Sequence, residues 1–395
     1  MTTAVMTRRD RLMATLQGRP VDRPAVNLYE IGGFAIDPFD PDPFNVYSDP
    51  SWRPLLQLAE ERTDLIRMRS AVRSRSWDPQ TALPGRNPGG CRGDLVQVHK
   101  YVEDQWHCAR ATVRVGGRTL SSTRRRSPAA DTVWTTEHLL KSVDDLQAYL
   151  QLPDDFFAEE TDVARLVDED NRLGGRGIVM VDTEDPICAA ASLFSMEDFL
   201  VTAMTEQKLF HRLLERLSQP LYARTERVSA VFPGHLWRIY GAEYAAEPFL
   251  PPSLFREYVV RYTAPMVKAI KEHGGFARIH CHGRLRAILD DIVSMGADAI
   301  DPIEPPPQGD VELDHVRRTY GDRLTLFGNI ELCDVEMMAP AEFQKVVAEA
   351  LAEGTCGQGR GFVLMPSSAP NGRHITPGTL KNYETMVQLA ETFCS

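Results

Sequence analysis

The segment Ile279-His280-Cys281-His282-Gly283 concentrates chemistry in five residues. In an extended chain, residues two apart project to the same side. His280 and His282 could therefore converge on one cation while Cys281 faces away. Neutral imidazole nitrogen is a common ligand for zinc and its neighbours, and Glu304 follows just past the next strand. Two histidines and a carboxylate with an open position make a catalytic set rather than a structural plug closed by thiolates. The alternative for a His-x-His pair is plainer: two buried rings satisfied by hydrogen bonds, or a loop. The expected metal ligands are thus His280, His282 and Glu304.

Other strand-like runs also end on polar groups. Tyr29-Glu30 closes the first, Asp182 follows Gly177–Val181, and Glu243-Tyr244 follow Leu236–Tyr240. Ala299–Ile303 carries Asp301, and Leu324–Gly328 leads to Asn329 and Glu331. Glu243, Tyr244 and Asp301 are candidates for moving a proton in catalysis, with loop or capping roles as the alternative. Glu30, Asp182 and Asn329 are candidates for binding substrate, although Asp and Asn also suit turns. Trp106-His107-Cys108 reads as packing. Arg124 to Arg126 read as a solvated loop, or as an anion clamp.

Helices must hold these strands. Apolar residues at helical spacing predict a first helix over Thr7–Gln17, stopped by Gly18-Arg19-Pro20, and another over Trp52–Arg62. A β-rich stretch from about Leu65 to Trp134 reads as an insertion after the first βα unit. Beyond Leu140, strand-like runs alternate with helices such as Glu197–Ser218, Pro252–His273, Leu285–Met295 and Ala341–Gly354. Strands alternating with helices imply parallel βαβ units. Seven or eight of them favour an α/β fold closed as a (β/α)8 TIM barrel, whose catalytic groups sit at the C-terminal strand ends. No Gly-x-Gly-x-x-Gly follows the first strand, which argues against a dinucleotide site.

Composition narrows the field. The chain has 395 residues, 43% of them hydrophobic, which supports a large core and excludes disorder. A formal net charge of −11 gives no basic field for nucleic acid. No apolar run reaches membrane-spanning length, and nothing at the N-terminus reads as a secretory signal. Seven scattered cysteines make no disulfide framework, so a cytoplasmic location is expected.

Several motifs, in order, resemble the uroporphyrinogen decarboxylase-like superfamily, in particular its metal-dependent corrinoid methyltransferase branch. Cobalamin-independent methionine synthase is a distant structural relative. Thr7 to Pro24 resembles the family's opening helix and its Asp-Arg-Pro lead-in to strand one. His280 to Gly283, Gly296 to Glu304, Gly321 to Ile330 and Thr376 to Asn382 resemble later family segments. The resemblance covers most of the chain and implies a (β/α)8 barrel over residues 1–395. In that branch zinc is held by a His-x-Cys pair, a Glu on the next strand and often a late Cys. Here His280 matches the His, His282 stands at the Cys position and Glu304 matches the Glu. Ser367 and Ser368 stand where the late Cys would fall. Such a harder site suits zinc, manganese or iron. The Arg-rich motif of porphyrinogen decarboxylation is absent, since Tyr29 to Gly33 occupies its place.

The function expected is a metal-dependent methyltransferase or demethylase, moving a methyl group between a small substrate and a corrinoid or thiol acceptor. The corrinoid would ride on a partner protein, and a homodimer is a further expected assembly. The alternatives are a metal-assisted decarboxylase or lyase, with Arg69, Arg73 and Arg75 holding a carboxylate, and a non-catalytic small-molecule or corrinoid-binding protein.

Overall fold

The computed structural model describes residues 5–29, 31, 33, 36–75, 77, 82–84, 95–357 and 359–393. The chain begins with strands β1 (Ala25–Val26) and β2 (Leu65–Arg69). An excursion follows, comprising β3 (Val72–Arg75), β4 (Val96–Glu103), β5 (Trp106–Val115), β6 (Arg118–Arg126), β7 (Trp134–Glu137) and β8 (Glu159–Thr161). The body resumes with β9 (Gly177–Glu184), β10 (Leu236–Tyr240), β11 (Phe276–Cys281), β12 (Ala299–Pro302), β13 (Thr325–Ile330) and β14 (Phe362–Pro366). β1, β2 and β9 to β14 form one eight-stranded parallel sheet in the order β1-β14-β13-β12-β11-β10-β9-β2. Body strands consecutive in the chain are thus neighbours, except that β1 and β2 share no ladder. The gap is stitched by the Asp64 amide, which donates to the Val26 carbonyl at 2.8 Å. The result is the expected (β/α)8 barrel.

Period-two alternation creates two apolar layers. Val179, Val181, Trp237, Ile239, Ile279 and Ile300 face outward against the helices. Ile66, Ile178, Met180, Leu236, Phe327 and Val363 point inward, where Leu12 and Leu16 of the helix Arg8–Leu16 join them. That helix starts where the Thr7 hydroxyl accepts the Asp10 amide at 3.1 Å. At Gly177 a Cβ would lie 2.1 Å from the Leu65 carbonyl oxygen, so β2 and β9 meet there only because the residue is glycine.

Buried charge ties the helix to the barrel. Asp64 is fully buried and takes Arg11 Nη1 at 2.5 Å, Arg23 Nη1 at 2.9 Å and the Val26 amide at 2.9 Å. Arg11 also holds Asp22 at 2.7 Å. The Asp-Arg-Pro lead-in therefore has a mechanical reason: Asp22 and Arg23 complete the ion network that joins helix, β1 and β2.

Some boundaries differ from the sequence reading. Leu65–Arg69 is barrel strand β2, and the excursion lies beyond it, from Val72 to Thr161. Arg67 and Arg69 obscured the strand; they alternate with inward Ile66 and Met68 and pair with Glu60 at 2.7 Å and Glu169 at 3.2 Å. Arg124 to Arg126 end strand β6 rather than forming a loop, and Arg126 is buried on Asp131 at 3.0 Å. The helix expected over Glu197–Ser218 is two, Met196–Thr205 and Gln207–Val231, with Phe199 and Phe210 edge to face at 5.7 Å across the break.

Replacing Asp64 with Ala would leave Arg11 short of a buried partner and open the β1–β2 join. Truncating one member of a buried ion pair costs about 3–5 kcal/mol. Urea unfolding should show Asp64→Ala less stable by that order; a change within experimental error would contradict this account of closure.

Candidate active site at the barrel mouth

Register decides which side chains meet. Glu184, Tyr240, His280 and Asp301 are aligned on successive strands. Two residues earlier Asp182, Arg238 and Arg278 form the layer beneath. Alternation aims both layers inward, and His282 continues the run Arg278, His280 at the same period.

The first unit is Arg278–Asp301–His280. Arg278 and Asp301 are wholly buried, with Nε and Oδ1 at 2.9 Å. Asp301 Oδ2 lies 2.8 Å from His280 Nδ1. Burial alone would raise the Asp301 carboxyl, but Arg278 and His280 hold it well below its usual range. Burial, with Arg238 nearby, pushes His280 down to about 3. His280 is therefore neutral, its Nδ1–H donating to the ionised Asp301.

The second unit is His282–Glu304. His282 Nδ1 lies 2.7 Å from Glu304 Oε1, and Glu304 Oε2 accepts the Gly283 amide at 2.6 Å. Burial works against protonating His282, yet Glu304 outweighs it and raises the ring's pKa. The two rings stand edge to face, with centroids 4.6 Å apart. Neighbouring imidazoles are thus pushed in opposite directions, the pattern that separates acid from base roles in a site.

Deeper in the mouth, Arg238 donates to Asp182 Oδ1 and to the Tyr29 hydroxyl, both at 2.9 Å. Burial pushes Asp182 up despite the guanidinium. Tyr29 adopts a left-handed φ of 50°, a conformation costly for a bulky residue, and its hydroxyl bond to Arg238 helps hold it there.

The expected site residues fall in distinct places. Asp301 sits behind His280 as its orienting partner. Glu243 is half-buried in the turn after β10, accepts the Gly241 amide at 3.2 Å, and has its carboxyl raised by burial. Tyr244 packs edge-on against Phe199 at 6.1 Å, on the helical layer, and burial pushes its phenol up to about 12. Asn329 is buried on the inward face of β13, two residues beyond Phe327. Asp182 lies in the layer below the histidines. Glu30 lies outside the described residues. Of the arginines suggested for a carboxylate, Arg69 pairs with Glu169, Arg75 pairs with Glu159 and Glu184, and Arg73 is exposed.

Arg238 and Arg278 were not singled out from sequence. Their signal was present: a charge at period two inside the apolar runs Leu236–Tyr240 and Phe276–Cys281. Glu331, noted only as a strand end, is buried, and its Oε2 accepts the Ser367 hydroxyl at 3.1 Å. Ser367 Oγ in turn accepts the Leu332 amide at 3.1 Å. Burial, then nearby Glu304, pushes the Glu331 carboxyl up to about 7.

The imidazoles suit a divalent metal. Each has Nδ1 on a carboxylate, the arrangement that orients ligating histidines and leaves Nε2 for the ion. Glu304 engages His282 and the Gly283 amide and so stands as an orienting group in this arrangement. Among the described residues, no group of three or more His, Cys, Asp or Glu side chains is placed to hold a metal ion. No helix among them is long and apolar enough to cross a membrane.

Fold and mouth together define a (β/α)8 barrel with an acid–base crater at the C-terminal strand ends. Residues 132–393, more than half of the chain, match the uroporphyrinogen decarboxylase (URO-D) family, and the chain belongs to that family. It is similar in fold to a methyltransferase from Methanosarcina mazei, at 15% identity and TM-score 0.57 over 98% of each chain. A weaker likeness to D-psicose 3-epimerase from Clostridium cellulolyticum H10, solved with D-tagatose, has 11% identity and TM-score 0.30 over 58% of this chain and 92% of that one. No curated protein matches.

Two predictions follow from the charges. Asp301→Asn removes the anion between Arg278 and His280, at a cost of about 3–5 kcal/mol; thermal unfolding should show a clear loss, and an unchanged midpoint would count against the triad. Glu331 in the native chain keeps its proton where the unfolded chain, with an ordinary value of 4.5, has released it. Stability should therefore fall as pH rises from about 4.5 to about 7, by about 2 kcal/mol once solvent screening is discounted. Denaturant titrations across that window should show the slope reduced in Glu331→Gln.

Proposed function

We propose that this protein is a methyltransferase or demethylase of the URO-D family, moving a methyl group between a small heteroatom-bearing substrate and a corrinoid or thiol acceptor. The observation that carries the reading is the pair of histidine–carboxylate dyads standing edge to face at the barrel mouth, 4.6 Å between ring centroids. The fold likeness to a methyltransferase supports it. A divalent metal, zinc or alternatively manganese or iron, would be held by His280 and His282 and would supply Lewis acidity toward the substrate heteroatom.

The chain's own residues do the remaining work. Asp301 and Glu304 fix the ring orientations, so that little reorganisation is needed when substrate arrives. Glu243, its carboxyl biased toward the protonated form by burial, is poised to give or take a proton beside His282. Arg238, anchored on Asp182 and Tyr29, orients the polar end of the substrate from below. The corrinoid would be carried by a partner protein docking over the mouth.

Elemental analysis of protein purified without added metal, beside His280→Ala and His282→Ala, tests the ligands. Stoichiometric zinc, lost in both variants, is expected. Full retention by His282→Ala would remove it from the ligand set. Methyl transfer from a methoxylated or methylated probe should require reduced corrinoid; carbon dioxide release without methyl transfer would instead favour the decarboxylase alternative.

A further inference from the structure

A cavity of about 250 Å³ lies along the seam between the β-excursion and the barrel, apart from the dyads. The excursion contributes Trp77, Ser122 and the pair Phe156 and Phe157; the barrel side contributes Ala189 and Tyr240. Five lining residues are aromatic, a strong enrichment over the 8% of the whole chain. Trp77 and Phe156 stand 5.9 Å apart at an interplanar angle of 33°, and Phe157 meets Phe156 edge to face at 5.3 Å. Such walls present flat apolar faces and ring edges, the surfaces on which another ring stacks.

Charge at the rim is internally matched. Arg75 reaches Glu159 at 2.8 Å and also Glu184, while Arg224 reaches Glu159 at 2.6 Å and Glu184 at 3.4 Å. Arg75 and Arg224 thus face two carboxylates, and Arg124, which also lines the cavity, is itself engaged within the protein, an arrangement that leaves little unmatched charge for an ionic ligand. Tyr240 lines the cavity and pairs in register with His280 on the next strand. The cavity therefore borders the strand next to the one that carries His280. An apolar cavity of about 150 Å³ suffices for benzene, so this one has room for a substituted single ring.

We infer that this seam cavity is the binding site for the body of a small, neutral, aromatic substrate, whose reacting heteroatom projects past Tyr240 toward His280 and His282. The direction of projection rests on the proposed reaction, whereas occupancy of the cavity does not. The excursion then has a function: it supplies one wall of the site and so sets which substrates fit.

Equilibrium binding separates the two ideas, because it needs no turnover. Guaiacol, a neutral methoxylated ring, is titrated into the full-length protein by calorimetry and by tryptophan emission, with para-anisate and methanol as the anionic and ringless probes. Saturable guaiacol binding is expected, accompanied by a change in tryptophan emission. It should weaken by roughly tenfold or more in Ala189→Phe, which fills the cavity, and in Trp77→Ala, which removes a wall. Circular dichroism establishes that each variant is folded, and Trp77→Ala serves if Ala189→Phe is not. Unaltered affinity in a folded variant, no saturable guaiacol binding, or tighter binding of para-anisate than of guaiacol would overturn the assignment. Failure of methyl transfer alone would leave it standing and strike only the proposed reaction.

Discussion

Between Val26 and Asp64 the eight-stranded sheet has no ladder, and the join is made by one buried residue that offers its amide, carbonyl and carboxylate together. Asp64 donates to Val26, accepts from the Asn27 side chain, and takes Arg11 and Arg23 on its carboxylate. Because Arg11 belongs to the helix that inserts Leu12 and Leu16 into the barrel, closing the sheet and plugging its lower end are one event. Everything above depends on that closure. Only in a closed barrel can Tyr29, just past β1, reach across to Arg238 on β10.

A closed parallel barrel turns every second side chain inward, away from water. Apolar residues fill the lower layers here, but the upper layers carry Asp182, Arg238, Arg278 and Asp301. Isolated charges there would be heavily penalised, so each is matched, and the matching sets the chemistry. Asp301, held by Arg278, stays ionised and fixes the tautomer of His280, which burial and nearby Arg238 keep neutral. Glu304, nearer the rim, raises its own histidine instead. Two imidazoles two residues apart thus differ because one lies in the wholly buried layer and the other is 37% exposed at the rim.

The β-excursion leaves the barrel after β2 and returns before β9, so its attachment points flank the mouth. The antiparallel sheet β4 to β7 and the short β3–β8 pair build a wall rather than a separate body. Buried ion pairs bind that wall to the barrel, since Arg75 on β3 and Glu159 on β8 both share partners with Glu184 and Arg224. The seam they leave is lined by rings together with Arg75, Arg124, Glu159 and Glu184.

Much of this was legible in the chain. The alternation of apolar strands with amphipathic helices determined an α/β barrel, because each apolar run needs a helix to cover it. The period-two spacing of His280 and His282, with Asp301 on the following strand and Glu304 just past it, determined that histidines and carboxylates would meet at one strand end. The motif from Thr7 to Pro24 pointed to the family before any geometry was known. Tertiary structure alone decided the pairings. Whether Glu304 stands beside the histidines or behind one of them depends on strand register and side-chain direction, which no local pattern specifies. Arg238 and Arg278 become intelligible only once Asp182 and Asp301 lie across from them, and Leu65–Arg69 becomes a barrel strand only once Glu60 and Glu169 neutralise its arginines. Local sequence sets which face a residue takes; long-range closure sets what it meets there.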